Sequence, residues 1–271
     1  MGINKLNAFL NQYASNSIKK KSLFQLKNKS VAVDYSIFYY KFKKSRGEQT
    51  LKGAFIRQIK TFQFYNITPI YIFDGKPDAN KLETIQNRNR EIVKYKEKME
   101  EERKKIVRNR NLIKKYERKT VKLNIIDINI CKQLFRNQNI QFIQANGEAD
   151  ELCCSLYKEN KVSGIFTEDN DLLLGGSIIY KGLNNYNDSI YEYNLKSILE
   201  ELDISYNIFL KICLLAGSTY TKKVCSIFIL YENYKKYDKI NHSKYQDKEI
   251  LYNKYVKSEI VNEPLNLIEC C

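Results

Sequence analysis

The sequence of 271 residues offers few of the side chains on which common active sites depend. It has a single histidine, His242, and its seven cysteines form no C-x-x-C pair, so we do not expect a structural zinc site. One histidine also leaves little basis for a Ser–His or Cys–His nucleophile pair. The cysteines are interpreted as reduced thiols of a cytosolic or nuclear protein. Tryptophan is absent, which says nothing about the fold.

Long apolar runs are also missing. The run from Ile208 to Ala216 is interrupted by Lys211 and is too short to cross a bilayer. The first residues hold no extended apolar stretch, so we expect no secretory signal. Leu6 stands where a myristoylation signal requires Ser or Thr. These absences predict a chain that is not anchored in a membrane.

Positive charge is the property that the chain has in excess. Lysine and arginine number 46 against 31 acidic residues, which gives a formal net charge of +15. With 43% hydrophobic residues the chain can still bury a sizeable core, so it is predicted to fold. A surplus of this size points to an anionic partner. Nucleic acid is the first candidate, and an acidic membrane surface is the second.

Three short apolar runs share one design, because each is followed by an acidic residue. The runs are residues 31–33, 70–73 and 164–167, and the acids are Asp34, Asp74, and Glu168 with Asp169. Uninterrupted apolar runs of this length, separated by helical segments, are typical of buried strands in a parallel sheet. Ligands of such sheets bind beyond the carboxyl ends of the strands, so we expect these acids to lie near one another. Residues 140–143 and 178–180 can supply further strands.

Helical patterns fill most of the remaining chain. In residues 51–65 the apolar side chains of Phe55, Ile59 and Phe62 recur at helical spacing. Further helices are predicted over 120–137, 148–158, 195–202, 205–216 and 225–237. Alternating strands and helices predict the α/β class, with a mostly parallel central sheet flanked by helices.

The segment from Lys76 to Lys122 differs from the rest because it is crowded with basic residues and contains no glycine. An isoleucine or methionine recurs every seven residues, at positions 85, 92, 99, 106 and 113. This spacing makes one apolar stripe on a helix, but the companion positions are too polar for a stable coiled coil. Two interpretations remain: a solvated helical arm that rests on its own domain, or a mobile arch that handles a nucleic-acid strand.

Six carboxylates form the candidate reactive centre: Asp34, Asp74, Glu148, Asp150, Asp169 and Asp171. The 169–171 segment is expected to leave its strand in extended form, with both acids on one side. Six acids in one place repel strongly unless cations neutralise them. Oxygen ligands suit Mg²⁺ or Mn²⁺, and two such ions about 4 Å apart can promote hydrolysis of a phosphodiester. The D-x-D pair by itself would not predict a metal site, because such a pair is more often part of a solvated turn.

Together these motifs resemble those of the flap endonucleases, the structure-specific 5′ nucleases that include the XPG-type enzymes. The matching blocks begin at Met1-Gly2-Ile3 and continue with VAVD (31–34), PIYIFDGKP (69–77), GEAD (147–150), TEDNDL (167–172) and a weaker CLLAGSTY (213–220). The resemblance implies a PIN-like 5′ nuclease fold with a helical arch at about 76–122 and a shortened C-terminal helical region. It predicts a nuclease domain over 1–235 and a polar tail over 236–271.

The resemblance also implies individual roles. The acids that match a first metal site are Asp34, Asp74, Glu148 and Asp150, and those that match a second are Asp169 and Asp171. Lys81 and Arg88 match basic residues that reach the scissile phosphate, against the simpler interpretation that they are solvated. Tyr40 matches an aromatic residue that stacks on a base beside the cut, against simple core packing. Gly2 matches a residue close to the substrate.

The chain departs from the family pattern at three places. Thr219 stands where the family carries a seventh acidic ligand, and the glycine-containing motif that grips duplex DNA is missing after it. A sliding clamp is a partner of many relatives, but no clamp-binding box is seen. A hydroxyl is a poorer metal ligand than a carboxylate, so we expect the second metal site to be weakened.

The resemblance therefore implies a monomer that cuts DNA with 5′ flaps or branched junctions, using two Mg²⁺ ions that Mn²⁺ can replace. Its expected place is the nucleus, or otherwise the cytoplasm or a viral replication site. The alternative is a catalytically weakened relative that binds branched nucleic acid as a scaffold. An RNA-directed nuclease of similar fold is a third interpretation.

Overall fold

The structure of the chain is a computed structural model that describes residues 3–46, 51–77, 82–183, 188–217 and 223–240. These ranges contain ten α-helices and one sheet of seven strands. They divide into two compact units. One unit holds residues 18–195, and the other holds residues 1–17 together with those from 196 onward. The nuclease domain over 1–235 stays a prediction.

The central sheet lies in the 18–195 unit, and its strand order is β1-β7-β6-β5-β2-β3-β4. The strands are β1 (Ile18–Ser22), β2 (Ser30–Asp34), β3 (Thr68–Phe73), β4 (Gln141–Gln144), β5 (Ile165–Phe166), β6 (Ile178–Lys181) and β7 (Ser189–Asn194). The pairs formed among β6, β5, β2, β3 and β4 are parallel, and β7 and β1 are added antiparallel at one edge. The predicted mostly parallel sheet is confirmed.

Strands β1 and β7 were not expected from the sequence. Strand β1 carries Lys19, Lys20 and Lys21, a run that is more typical of a loop. It is an edge strand, where lysine is favoured because it discourages pairing with other chains. Lys21 is held within the sheet by an ion pair with Glu192 on β7, with 2.7 Å between Nζ and Oε2.

The helices after residue 50 follow the predicted order with shifted ends, whereas the first two helices of the chain were not predicted. They are α1 (Leu6–Tyr13), α2 (Tyr35–Arg46), α3 (Leu51–Phe64), α4 (Leu82–Lys104), α5 (Arg110–Thr120), α6 (Ile125–Asn137), α7 (Ala149–Lys158), α8 (Leu195–Leu202), α9 (Tyr206–Ala216) and α10 (Ile227–Ile240). Helix α6 begins later than predicted because the side chain of Asn124 accepts the N–H of Ile126 and caps the helix there.

An aromatic core fixes the start of α2, which is the helix that follows Asp34. The ring of Tyr35 stacks on Phe73, with 4.1 Å between centroids, and Tyr71 stacks on Phe135 at 4.2 Å. Tyr35, Tyr71 and Phe135 are at most 1% exposed. This packing ties α2, β3 and α6 together, so the backbone at the end of β2 has little freedom.

The second unit is helical in its described part. Phe9 of α1 packs against the rings of Tyr231 and Phe228 on α10, with centroids 5.2 Å and 5.9 Å away. Thr219 and Gly2 lie outside the described residues, so the structure does not bear on their predicted roles. Within the ranges that the structure describes, no helix is long and apolar enough to cross a membrane.

Candidate active site

The sheet brings the predicted acids to one edge. Asp34 is the last residue of β2, Asp74 directly follows β3, and Asp169 comes three residues after β5. Strands β5, β2 and β3 are parallel neighbours in the sheet. Their carboxyl ends therefore meet at the same edge, which is where ligands of such sheets bind.

Asp34 is the most buried of these acids, with 4% of its surface exposed. Its Oδ1 accepts the N–H of Ile37 at 3.2 Å, so it caps the first turn of α2, and its Oδ2 accepts the hydroxyl of Thr167 at 3.4 Å. Burial, followed by the negative charges of Asp74 and Asp169, raises its pKa to about 7. The charge effects place Asp74 and Asp169 close enough to Asp34 to disfavour its ionised form.

Asp74 is oriented by the amino end of α7. Its Oδ1 accepts the N–H of Ala149 at 3.0 Å, and its Oδ2 accepts the hydroxyl of Ser36. An ionised carboxylate is stabilised in this position because the first N–H groups of a helix have no partner within the helix. These two contacts join the end of β3 to the starts of α2 and α7.

Gly75 makes this approach of β3 and α7 possible. Its N–H donates to the carbonyl of Gly147 at 2.7 Å, and the next N–H, of Lys76, donates to that of Asn146 at 3.1 Å. A Cβ at position 75 would lie 2.1 Å from the carbonyl oxygen of Ala145, so only glycine fits. This close approach brings Ala149, which lies between Glu148 and Asp150 in the chain, into contact with Asp74.

Glu148 and Asp150 are half-buried at the start of α7, where Glu148 is the N-cap residue. The thiol of Cys153, one turn further along α7, reports on their surroundings. Burial is the main cause that raises its pKa, and the charges of Asp34, Asp150 and Asp74 add to it. Asp34, Asp74 and Asp150 therefore lie near one buried thiol.

The segment from Asp169 to Asp171 forms a turn, so the predicted extended form is wrong. The N–H of Asp171 donates to Oδ1 of Asp169 at 3.1 Å, and a short 3-10 helix begins at Asp171. Short acidic side chains often bond to the backbone two residues on, and this competes with continuation of a strand. Both acids remain at the carboxyl edge of β5.

A buried lysine beside this turn was not predicted. Lys181 ends β6, is 9% exposed, and donates to Oδ1 of Asn170 at 2.7 Å. Burial lowers its pKa, while the charges of Glu168, Asp169 and Asp171 oppose that shift. Nothing in the sequence indicated this contact beyond the place of Lys181 at the end of an apolar run. The contact could not be predicted because it depends on β6 lying next to β5.

The described acids approach one another without forming a ready-made ion cage. Among the described residues, no three Asp, Glu, Cys or His side chains stand together in an arrangement that would hold one metal ion. The electrostatic effects link Asp34 to Asp74 and Asp169, and Asp150 to the same group through Cys153. The oxygen-rich donors suit a hard cation such as Mg²⁺.

The basic segment is a helical hairpin, defined as α4, α5 and the turn between them. Residues 76–122 hold 17 Lys and Arg against 8 Asp and Glu, a surplus of nine that is more than half of the net charge of +15. The legs contact each other through Tyr95 and Tyr116, whose ring centroids are 5.9 Å apart, and through Arg103, which bonds Glu117 at 2.9 Å.

The turn of the hairpin, residues 105–109, was not predicted. Its anchor is Glu102, which is 5% exposed, accepts the N–H of Asn109 at 3.1 Å and pairs with Lys105. Asn109 then caps α5 by accepting the N–H of Leu112. The predicted apolar stripe is broken here, since Ile106 lies in the turn and is fully exposed.

A cationic cleft opens between α2 and the C-terminal base of the hairpin. Its volume is about 830 Å³. Five cations line it against the two carboxylates of Glu117 and Asp127; they are Lys43, Lys44, Lys114, Arg118 and Lys122. The cleft is therefore suited to an anionic ligand.

The predicted substrate contacts are placed only in part. Tyr40 is half-buried on α2, with its ring 5.5 Å from that of Tyr39 and 5.4 Å from Nζ of Lys44. Arg88 is exposed on α4. Lys81 lies outside the described residues. The roles of these three side chains stay predictions.

Comparisons with known proteins agree with this architecture. The family model described as XPG N-terminal domain matches residues 1–95, and that described as XPG I-region matches residues 139–219. These two ranges contain all six predicted metal ligands.

Curated relatives match over most of the chain. Flap endonuclease 1 of Entamoeba histolytica is 31% identical over 263 residues, which cover 89% of this chain and 69% of the relative. Flap endonuclease 1 of Encephalitozoon cuniculi is 29% identical over 242 residues, with 81% and 68% covered.

A solved structure supports the fold independently. The catalytic core of Rad2 in complex with DNA substrate superposes with a TM-score of 0.67 at 24% identity and covers 98% of this chain and 84% of that one. With the carboxylate edge, the basic hairpin and these matches in agreement, the chain belongs to the flap endonuclease family of nucleases.

Proposed function

We propose that this chain is a structure-specific 5′-flap endonuclease, which cuts branched DNA in replication or repair by Mg²⁺-dependent hydrolysis of a phosphodiester. The observation that carries the proposal is the meeting of Asp34, Asp74 and Asp169 at the carboxyl edge of three parallel strands. The relatives named Flap endonuclease 1 and the Rad2 core solved with DNA substrate support the same substrate class.

The chemistry of the acids supports a divalent cofactor. A buried carboxylate with a pKa of about 7, flanked by two other acids, is relieved of repulsion when a cation binds. We propose that one Mg²⁺ is held by Asp34, Asp74, Glu148 and Asp150, and a second by Asp169 and Asp171. Mn²⁺ can replace them, since it accepts the same oxygen ligands. When bound, such ions acidify a water and neutralise charge on the leaving oxygen.

The surrounding residues hold the acids in place for this task. The N–H of Ala149 and the hydroxyl of Ser36 orient Asp74, and the N–H of Ile37 orients Asp34. Lys181 anchors the turn that carries Asp169 and Asp171, through its bond to Asn170. Ligands oriented by such outer contacts need less rearrangement when a metal binds.

The hairpin and the cationic cleft supply the substrate contacts in this proposal. The unpaired 5′ strand lies along the cleft, where cations outnumber carboxylates five to two. Arg88 and Lys81 contact the scissile phosphate, Tyr40 stacks on the neighbouring base, and Gly2 lies near the substrate. Stacking of a base on an aromatic ring and phosphate contacts of basic residues are general means of binding single strands.

A labelled 5′-flap substrate tests the proposal. We expect cleavage with Mg²⁺ and none with EDTA. Asp150→Asn should reduce activity by more than the ~10- to 100-fold typical of mutating a residue that only orients a metal ligand. The matched control is Glu159→Gln at the other end of the same helix, an exposed acid that should leave activity unchanged.

The same assay also distinguishes the enzyme from the alternative, a scaffold that binds branched nucleic acid without cutting it. Binding of the flap without cleavage at every Mg²⁺ and Mn²⁺ concentration would replace the enzyme with a binder of branched DNA. Cleavage that persists in EDTA, or that is undiminished in Asp150→Asn, would reject the metal-dependent mechanism. Preference for an RNA flap of the same shape would instead favour an RNA-directed nuclease.

A further inference from the structure

A buried polar network joins α2 to the point where the chain leaves the hairpin. The hydroxyl of Tyr39 lies 2.8 Å from Oδ2 of Asp127 and 3.0 Å from the carbonyl oxygen of Lys122. Nζ of Lys43 lies 2.9 Å from the same Oδ2 of Asp127. Tyr39 and Lys43 are one turn apart on α2, Lys122 follows α5, and Asp127 is in the first turn of α6. The network therefore links three elements.

The members of this network are withdrawn from solvent. Tyr39 is fully buried, and the side chains of Lys43 and Asp127 are 6% and 17% exposed. A buried ion pair gains little net stability, because desolvation of both charges offsets their attraction. Apolar side chains of similar volume would serve stability as well or better. The network is therefore better explained by what it fixes than by the stability it adds.

The packing between α2 and α6 does not depend on the network. Tyr35 of α2 and Phe135 of α6 meet edge to face in the aromatic core, with centroids 6.4 Å apart. By contrast, Tyr39 contacts the carbonyl of Lys122, at the C-terminal base of the hairpin. It is also the residue before Tyr40, so one helical turn carries both the hairpin anchor and a candidate substrate contact.

We propose that Tyr39 and Asp127 are positioning residues that fix the C-terminal base of the hairpin on helix α2. The hydroxyl of Tyr39 shares its one proton between Oδ2 of Asp127 and the carbonyl oxygen of Lys122, so it joins the backbone at Lys122 to both helices. Asp127 also pairs with Lys43. The cationic cleft then keeps a fixed place relative to Tyr40 and Asp34, which sets the nucleotide that reaches the carboxylates. This role rests on the proposed function, since it concerns the register of the substrate strand.

Two variants, each with its own control, separate positioning from stability. Tyr39→Phe removes one hydroxyl and keeps the ring, and Tyr95→Phe in the hairpin is its matched control. The double variant Lys43→Met/Asp127→Leu removes both members of the ion pair, whereas Asp127→Leu alone removes the carboxylate and keeps the buried charge of Lys43. We expect the single Asp127→Leu to lower the Tm and the double variant to regain most of the loss.

The readouts are tryptic cleavage of the hairpin without DNA, and the cut positions on a flap substrate at single-nucleotide resolution. In Tyr39→Phe and in the double variant, trypsin should cut the hairpin faster at a near-normal Tm. Flap products should spread over several positions, and kcat should fall about 10- to 100-fold while KM changes less, as expected for misplaced reactants. Tyr95→Phe should resemble the wild type in tryptic cleavage rate, cut positions and kcat.

A double variant with wild-type tryptic rate and a single cut position would overturn the proposal, because the network would then be structural only. The same result in Tyr39→Phe would overturn it as well. If Tyr39→Phe does not fold, the double variant decides. If the wild type cuts no flap, the proposed function fails, while the tryptic comparison without DNA still decides whether the network fixes the hairpin.

Discussion

Asp34 closes strand β2, Asp74 follows the parallel neighbour β3, and the charge of Asp74 is second only to burial in raising the pKa of Asp34. The folded chain therefore keeps a proton on Asp34 up to about pH 7, whereas the unfolded chain releases it near the ordinary value of 3.8. Between these pH values the folded state binds more protons, so stability falls as the pH rises.

This linkage predicts the behaviour of Asp34→Asn in the absence of metal. Asparagine mimics the neutral acid, so the variant should match the wild type at about pH 4 and exceed its Tm by several degrees at about pH 8. Thermal unfolding in EDTA at both pH values provides the measurement. Asp203→Asn is the control, because Asp203 is exposed and its pKa is lowered by Lys235. A lower Tm for Asp34→Asn at about pH 8 would contradict the pKa argument.

Gly75→Ala should damage the site through the backbone. Its Cβ would meet the carbonyl oxygen of Ala145 at 2.1 Å, so β3 and the loop before α7 must separate. We expect a loss of about 1–3 kcal/mol in unfolding free energy, as for other overpacked sites, and a larger loss of cleavage because Asp74 leaves Ala149. Denaturant unfolding and flap cleavage measure the two effects.

Gly53→Ala is the matched glycine substitution. Position 53 lies inside α3, and a Cβ there meets only the end of the Arg57 side chain, at 3.5 Å. Alanine is preferred to glycine within helices by roughly 0.5–1 kcal/mol, so this variant should be slightly stabilised and fully active. Equal behaviour of Gly53→Ala and Gly75→Ala would show that the close crossing at Gly75 does not matter.

The sequence predicted the elements that depend on local pattern and missed those that depend on partners. The apolar runs before Asp34 and Asp74 were sufficient to predict β2 and β3, because a buried parallel strand is apolar on both faces. Strand β1, with its three lysines, is stabilised by pairing with β7, which a local pattern does not reveal. The turn after Glu102 likewise depends on a contact seven residues away, to Asn109.

The candidate site shows the same division. The position of the acids directly after apolar runs predicted their convergence, because the carboxyl ends of neighbouring parallel strands meet at one edge of the sheet. The contacts of Lys181 with Asn170 and of Tyr39 with Asp127 join separate elements, so they could not be predicted from spacing. The turn at Asp169 was missed because its side chain, not the strand, satisfies the backbone of Asp171.

The cationic cleft predicts a defined salt dependence. Lys114→Ala and Arg118→Ala should weaken binding of a single-stranded 5′ flap and lower the slope of log Kd against log salt by roughly 0.7 for each phosphate that is no longer neutralised. Lys60→Ala is the control, because Lys60 is exposed on α3 and does not line the cleft. Binding titrations at several salt concentrations measure the slopes. Equal slopes in Lys60→Ala and Arg118→Ala would show that the 5′ flap does not bind in the cationic cleft.

Arg88→Ala should reduce turnover more than affinity. Its proposed contact is with the scissile phosphate, where negative charge develops in the transition state, so kcat should fall at least tenfold while Kd changes little. Arg90→Ala on the same helix is the control, since its side chain bonds Asn87 instead. Single-turnover cleavage and binding of an uncleavable flap separate the two quantities. Similar losses in kcat and Kd would make Arg88 part of a general basic surface.

Thr219 lies outside the described residues, and the prediction for it follows from the family pattern, which has an acid at this position. Its hydroxyl brings no charge, so the second metal site that we propose would be left with Asp169 and Asp171, helped by Asp150. Mg²⁺ keeps several waters in most protein sites, so a water can fill the position that the missing carboxylate would occupy. The wild type should therefore cut flaps but require a higher Mg²⁺ concentration than a variant with an acid at position 219. Mn²⁺ should support cleavage at a lower concentration than Mg²⁺, because it binds such ligands more tightly.

Thr219→Asp should lower the Mg²⁺ concentration for half-maximal cleavage, since it restores one ligand and one negative charge. Thr221→Asp adds the same charge two residues away and should leave the Mg²⁺ requirement nearly unchanged, which separates ligation from a general effect of charge. Cleavage rates over a Mg²⁺ titration of all three proteins provide the comparison. If only Thr219→Asp cuts, at any Mg²⁺ or Mn²⁺ concentration, the natural chain binds branched DNA without cutting it. If Thr219→Asp and Thr221→Asp shift the requirement equally, position 219 is not a ligand position, and the second ion depends on Asp169 and Asp171 alone.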